Sequence, residues 1–213
     1  MLNILLDNHK PLKILALGAH CDDIEIGAGG TILSILERYE VEAVKWVVFT
    51  STSQRKQEAQ QSAELFLEKG GNKSIVIKDY RDGFLPYSAY EIKDYFETLK
   101  REINPDLIFT HYRDDRHQDH RLVSDLTWNT WRNHFILEYE IPKYDGDMGI
   151  PNFFKPLDSN IIDQKISILK KTFASQSQKH WFKDAVFYAL PRLRGMECAA
   201  NYAEAFYCRK VAF

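Results

Sequence analysis

Four short apolar runs, separated by stretches of helical period, constrain the fold more than any other feature of this chain. Lys13 to Gly18 (KILALG), Val44 to Thr50 (VKWVVFT), Ser74 to Lys78 (SIVIK) and Asp106 to Thr110 (DLIFT) read as buried strands. Runs so nearly continuous in apolar residues suit a parallel sheet covered on both faces. Between them, Ile32, Ile35, Leu36 and Tyr39 fall at i, i+3, i+4, i+7, and Ile92, Tyr95, Phe96 and Leu99 repeat that pattern. Gln54 to Lys69 is helix-forming, with Ala59, Ala63 and Phe66 on one side. Gly70-Gly71 is expected to stop it, and Pro105 follows the next helix. Strand–helix alternation with short connections predicts an α/β fold with right-handed crossovers: a Rossmann-like, doubly wound, mostly parallel sheet with helices on both faces.

After Arg121 the pattern changes. Leu122 to His134 reads as a helix and Phe135 to Ile141 (FILEYEI) as a strand. Tyr144 to Pro156 reads as mostly loop with a short strand at Asn152 to Phe154, and Ile162, Ile166, Leu169 and Phe173 mark one more helix. The last forty residues carry no legible pattern. With no repeat, low-complexity tract or linker, one domain over 1–213 is expected, with a core of about 12–135 and a C-terminal elaboration of about 136–213.

Composition narrows the function. With 213 residues, 45% hydrophobic and 13% aromatic, the chain can bury roughly 70% of its unfolded surface without staples. A net charge of −2 and no dense basic run exclude a simple electrostatic nucleic-acid binder. Cys21, Cys198 and Cys208 are an odd count without CxxC spacing, against both a disulfide framework and a four-cysteine zinc site. Leu2 to Leu6 is broken by Asp7, unlike a signal peptide, and no window approaches the ~20 apolar residues of a membrane span. The expectation is a soluble, cytoplasmic protein with no integral membrane segment.

The informative segment is Leu17 to Thr31, LGAHCDDIEIGAGGT, directly after the first strand, where open α/β sheets bind ligands. A dinucleotide loop is rejected, because G-x-G-x-x-G is absent and Asp22, Asp23 and Glu25 crowd the place where a pyrophosphate needs a positive dipole. That charge suits a cation. His20 and Asp23, at H-x-x-D spacing, can both turn toward one metal and leave Asp22 free; alternatively the aspartates only cap the following helix. Gly27, Gly29 and Gly30 let the next backbone pack closely. A second segment, His111 to Arg121 (HYRDDRHQDHR), directly follows the fourth strand. Parallel strands bring the two His/Asp clusters to one sheet edge. His117 and His120 stand at i, i+3, with Asp119 placed to orient a ring. Three N and O ligands with an open position are what a catalytic zinc needs.

These residues carry a resemblance. A-H-C-D-D-I-E-I-G-A-G-G resembles the A-H-P-D-D-E-x-x-G-x-G-G signature of the LmbE-like (PIG-L-like) N-acetylglucosamine de-N-acetylase superfamily, and His117-Gln118-Asp119-His120 resembles its H-P-D-H. Order, spacing and strand–helix context are similar from residue 12 to about 125, and Ala203-Glu204-Ala205-Phe206 is similar to a weaker motif near the end of many members. Two positions depart: Cys21 stands where the family has proline, and Ile24 where it has glutamate, and Glu25 is not promoted to replace it.

The resemblance, in agreement with the spacing, implies a metal site of His20, Asp23 and His120, with Zn²⁺ expected and Fe²⁺ also compatible. It further implies Asp22 as general base, His117 as hydrogen-bond donor to the developing oxyanion, and Asp119 holding His117 or another histidine in its working tautomer. Arg55 resembles the arginine that meets a charged or polar aglycone, or is a solvated first-turn residue. Asp82 resembles a position that hydrogen-bonds sugar hydroxyls, or is an ordinary turn aspartate before glycine. Cys21 reads as a small buried residue. His9, His111, His134 and His180 default to structural or surface roles, His111 standing closest to a functional one because it ends a strand on the active edge. Trp181 and the aromatics of residues 139 to 154 default to core. The implied reaction is removal of the N-acetyl group from an N-acetylated amino sugar or its glycoside. The rivals are an amidase on a non-sugar acyl amine and a non-catalytic, metal-stabilised carbohydrate-binding protein. The partner is then a small-molecule glycoconjugate. Homo-oligomers are common in the family, and no local pattern here fixes a number.

Overall fold

The computed structural model describes residues 10–211; Leu2 to Leu6 and His9 lie outside the described residues. Among these, seven strands form one sheet in the order β3-β2-β1-β4-β5-β7-β6. β1 (Leu12–Gly18), β2 (Val41–Thr50), β3 (Asn72–Tyr80), β4 (Leu107–His111) and β5 (Phe135–Tyr139) are parallel neighbours. β7 (Tyr202–Tyr207) runs antiparallel to β5, and β6 (Phe153–Leu157) antiparallel to β7 at the edge. The doubly wound expectation holds, with three of the seven strands' positions set by the C-terminal part.

Both faces of the central parallel strands are buried, as their continuous apolar runs require. β3, expected to be buried, lies instead at the sheet edge, with Asn72 to Ser74 exposed and Ile77 alone buried. Ile14 and Ala16 of β1 join one core and Leu15 and Leu17 the other. The first core is covered by α1 (Asp23–Arg38), α2 (Ser53–Phe66), α5 (Ser159–Thr172) and α6 (Asp184–Glu197), the second by α3 (Ala89–Glu102) and α4 (Gln118–Thr130). Ile92, Phe96 and Leu99 of α3 are fully buried beneath Trp131, as their spacing predicted.

Four boundaries move for identifiable reasons. α4 begins at Gln118 rather than Leu122 because His117 caps it, its Nδ1 accepting the Asp119 N–H at 3.3 Å. α2 is shorter than Gln54 to Lys69 and ends before the two glycines. β5 ends at Tyr139, and the next residue, Glu140, is held by Arg194 through paired 2.7 Å bonds. The strand expected at Asn152 to Phe154 is Phe153–Leu157, an edge strand, where Pro156 is tolerated. α6 and β7 account for half of the illegible last forty residues.

α1 is fixed at its middle by the C-terminal part. The Glu204 carboxylate on β7 accepts the N–H groups of Gly30 (2.8 Å) and Thr31 (2.7 Å) and the Lys165 ammonium (2.7 Å). Lys165, on α5, also donates to the Ile26 carbonyl at 2.6 Å. In a regular helix Gly30 N–H and Ile26 C=O bond to each other; here each also meets a buried side chain. The glycines of α1 serve close approach, but to side chains rather than backbone: a Cβ on Gly27 would lie 2.3 Å from the Tyr139 ring.

Candidate metal centre

The loops after β1 and β4 leave the same sheet edge and are bonded together there. His111, the last residue of β4, is buried and its Nε2 accepts the Ala19 N–H at 2.9 Å. Tyr139 Oη lies 3.2 Å from the same nitrogen and donates to the Leu17 carbonyl at 2.7 Å. The His111 ring stacks on His120 with centroids 3.9 Å apart. A histidine assigned a structural or surface role from sequence thus lies inside the cluster.

Asp22 occupies the N-cap position of α1, yet its side chain caps nothing. Oδ1 meets Arg55 at 3.0 Å, and Oδ2 has no hydrogen-bond partner. Burial raises the pKa of this carboxyl, with Arg55 pulling against it. Asp23, one residue on, faces three imidazoles. Its Oδ2 accepts the His20 backbone N–H at 2.6 Å and lies 3.1 Å from His20 Nδ1, 3.3 Å from His111 Nε2 and 3.5 Å from His120 Nε2. Burial alone would raise its pKa, but His120, His20 and His111 hold it well below the usual range.

His20 Nδ1 and His120 Nε2 are 3.0 Å apart. With Asp23 Oδ2 they form a triangle of 3.0, 3.1 and 3.5 Å edges. Ligands about 2.0–2.1 Å from a tetrahedral ion stand about 3.4 Å apart, so this donor set fits a zinc-sized ion with a position left open. The other nitrogen of each ring is held by carboxylates. His20 Nε2 faces Asp82 Oδ1 at 3.1 Å and Asp119 Oδ2 at 3.3 Å, and His120 Nδ1 faces Asp115 Oδ2 at 2.9 Å. Such partners orient ligating histidines and fix their tautomers.

Asp119 therefore sits against His20 rather than His117, and it also accepts the Gly83 and Leu85 N–H groups at 2.7 and 3.1 Å. Gly83 has φ +78, so Asp82 is a turn aspartate before glycine, and it also reaches the site. His117 Nδ1 is engaged by the Asp119 N–H, so its neutral ring carries the proton on Nε2; burial and the neighbouring histidines lower its pKa. Arg55 is not solvated: it is clamped to Asp22 and stacked 5.1 Å from the Phe173 ring centroid. Cys21 is buried and its thiol donates to the Thr50 carbonyl at 3.2 Å. Burial pushes its pKa up to about 12, so it stays neutral. Glu25 is fully buried with neither oxygen partnered, and burial pushes its carboxyl well up.

A cavity of about 660 Å³ opens from this cluster. His20, Asp22, Asp23, His117 and His120 form one end, with Arg55 and Asp82 beside them. Ile141 to Tyr144 and Gln176 with Lys179 to Trp181 form the far wall. Tyr144 Oη lies 3.2 Å from His180 Nδ1, joining the two wall segments. Trp181 packs against the first core and Phe182 while half-open to that wall, whereas Tyr144, also expected in the core, is 79% exposed. Asp115 and Lys143 were missed as well. Asp115 is buried where Asp114 beside it is exposed, a difference no spacing announces.

Comparison with known proteins agrees with this fold. Solved structures of similar fold include the N,N'-diacetylchitobiose deacetylase of Pyrococcus horikoshii (24% identity, TM-score 0.73, covering 95% of this chain and 86% of that one). Another is the zinc-inhibited form of a teicoplanin deacetylase (13%, 0.69, 92% and 97%). A third is the 4-carboxy-2-hydroxymuconate hydratase of Pseudomonas putida (16%, 0.73, 95% and 98%). The PIG-L family model, described as GlcNAc-PI de-N-acetylase, matches residues 15–131, more than half of the chain and the stretch that holds both His/Asp clusters. The chain belongs to the PIG-L family and is a hydrolase of the N-deacetylase type.

Proposed function

We propose that the protein removes the N-acetyl group from an N-acetylated amino sugar or its glycoside, using zinc held by His20, Asp23 and His120, with Fe²⁺ compatible with the same donors. The observation that carries this reading is the convergence of His20 Nδ1, Asp23 Oδ2 and His120 Nε2 beside a buried carboxylate, Asp22, whose Oδ2 is unpartnered. A bound ion of this kind brings its water toward pKa ~7 and polarises the amide carbonyl.

The chain's own groups do the rest. Asp22 takes the proton of the attacking water and returns it to the departing amine; its raised pKa brings it nearer to the range in which a base works at neutral pH. Arg55 holds Asp22 in place through Oδ1 and leaves Oδ2 for the water. His117, neutral with its proton on Nε2, donates to the oxygen on which negative charge develops. Asp119 fixes the His20 ring and the turn that carries Asp82, which is 77% exposed at the rim and available to sugar hydroxyls.

The test pairs metal content by mass spectrometry with fluorescamine detection of amine released from N-acetylglucosamine and its glycosides. About one zinc or iron per chain, with amine release lost in His120→Ala, is the expected result. Amine release from acyl amino acids alone moves the substrate outside sugars. Sugar binding without any amine makes the protein a binder, and no metal after zinc is supplied removes the proposal.

A further inference from the structure

Asp115 joins the metal cluster to the far wall of the cavity. Its carboxylate is buried, and its Oδ1 accepts the His117 N–H at 2.8 Å. Oδ2 is shared: His120 Nδ1 approaches at 2.9 Å and the Lys143 ammonium at 2.8 Å. Lys143 lies between β5 and β6, on the cavity wall, and its ammonium also bonds Asp147 Oδ1 at 2.7 Å. Asp147 Oδ2 in turn accepts the Arg116 N–H at 2.6 Å. One ammonium thus stands between two carboxylates, one of which grips the ring of His120.

We propose that Lys143 is a positioning residue that sets how strongly Asp115 acts on His120, and so links the substrate wall to the metal-binding end of the cavity. This rests on His120 being a metal ligand. A carboxylate on one imidazole nitrogen raises the basicity of the other. An ammonium on the same carboxylate oxygen draws off part of that negative charge and adds positive charge near a cation site. Asp147 works the other way, taking up part of the Lys143 charge. The alternating row of charges gives a pattern of signs that a merely structural strap does not. Loss of Lys143 tightens metal binding, loss of Asp147 loosens it, and loss of Asp115 loosens it most.

The experiment measures zinc affinity of the full chain by competition with a chromophoric chelator. Asp115→Asn weakens zinc by about 10–100-fold. Lys143→Met tightens it by about 3–10-fold, Asp147→Asn weakens it by about 2–5-fold, and Lys143→Arg matches wild type because the charge is kept. In the Asp115→Asn background, Lys143→Met changes the affinity less than about twofold, because its effect runs through Asp115. The His120 Nδ1–H proton resonance shifts in opposite directions in Lys143→Met and Asp115→Asn. Zinc held equally or less tightly by Lys143→Met, or the same change in both backgrounds, overturns the proposal. If Lys143→Met does not fold, Asp147→Asn decides: wild-type affinity there overturns it equally. Wild-type protein that takes up no zinc removes the metal site itself and this proposal with it, whereas zinc uptake with the wrong signs removes this proposal alone.

Discussion

Two sets of charged residues grip α1, one at its first turn and one at its middle, and they differ in how much hydrogen-bonding capacity is spent. At the middle, Glu204 meets three donors, and Lys165 is shared between Glu204 and the Ile26 carbonyl. At the first turn, Asp22 keeps an unpartnered oxygen, and the His20, Asp23 and His120 donors crowd one another at the end of an open cavity. Both sets are largely buried, and both set carboxylates against basic side chains: Glu204 against Lys165 at the middle, Asp22 against Arg55 and Asp23 against His20 and His120 at the first turn. Residue type therefore does not separate a structural charge cluster from a chemical one; unspent capacity facing a cavity does.

The contrast breaks most readily at Asp22. Asp22→Asn is expected to lower kcat by about 10²–10⁴-fold while zinc content and the urea midpoint stay near wild type. A variant that unfolds while turning over normally would move Asp22 into the structural set. The acid limb of the wild-type kcat/KM profile should lie above the ordinary aspartate value of about 3.9, because burial raises this carboxyl, and that limb should be absent from the residual activity of the asparagine variant.

Glu204→Ala tests the other set. It strands a buried ammonium and should cost about 3–5 kcal/mol in urea denaturation, while the chains that remain folded still bind one zinc each. Glu25 sharpens the boundary between the two. It is buried and neither of its oxygens is hydrogen-bonded, where Asp22 leaves only Oδ2 free, but it does not line the cavity. Its folded pKa is raised, so wild-type stability is full below the unfolded value of about 4.3 and declines as pH rises toward the raised folded one. Glu25→Gln should remove that decline, its advantage in urea midpoint growing from pH 4 to pH 8 with turnover unchanged. An advantage independent of pH would show that Glu25 has a partner. The smallest effect is expected at the exposed Lys69–Glu37 pair, where Lys69→Ala should change stability by less than about 1 kcal/mol in the same assay.

The sequence made the parallel strands legible because a sheet covered on both faces forces continuous apolar runs, and it made His20, Asp22, Asp23 and His120 legible because strand ends place their following residues on one edge. β7 was not legible: Y-A-E-A-F-Y has a charged residue at a buried position, and what stabilises Glu204 there comes from α1 and α5, 173 and 39 residues away. Asp115 was hidden among the charges of R-D-D-R, and the hold of Asp119 on His20 depends on which way one ring turns. Trp181 and Tyr144 read as core because aromatic side chains do so by default, and only the fold shows that they edge a cavity.

The stretch matched by the PIG-L family ends at residue 131, whereas the far wall of the cavity begins at Ile141 and resumes at Gln176. The family match thus takes in the reacting end. The far wall, latched by Tyr144 and His180, stands outside the matched stretch, although the overall fold of solved relatives extends over it. Descent can keep the chemistry while rewriting the lock that chooses its key. Exchanging the segments 141–149 and 174–181 between relatives is therefore the natural way to move selectivity from one member to another, with His20 after β1, Asp23 on α1 and His120 on α4 left in place.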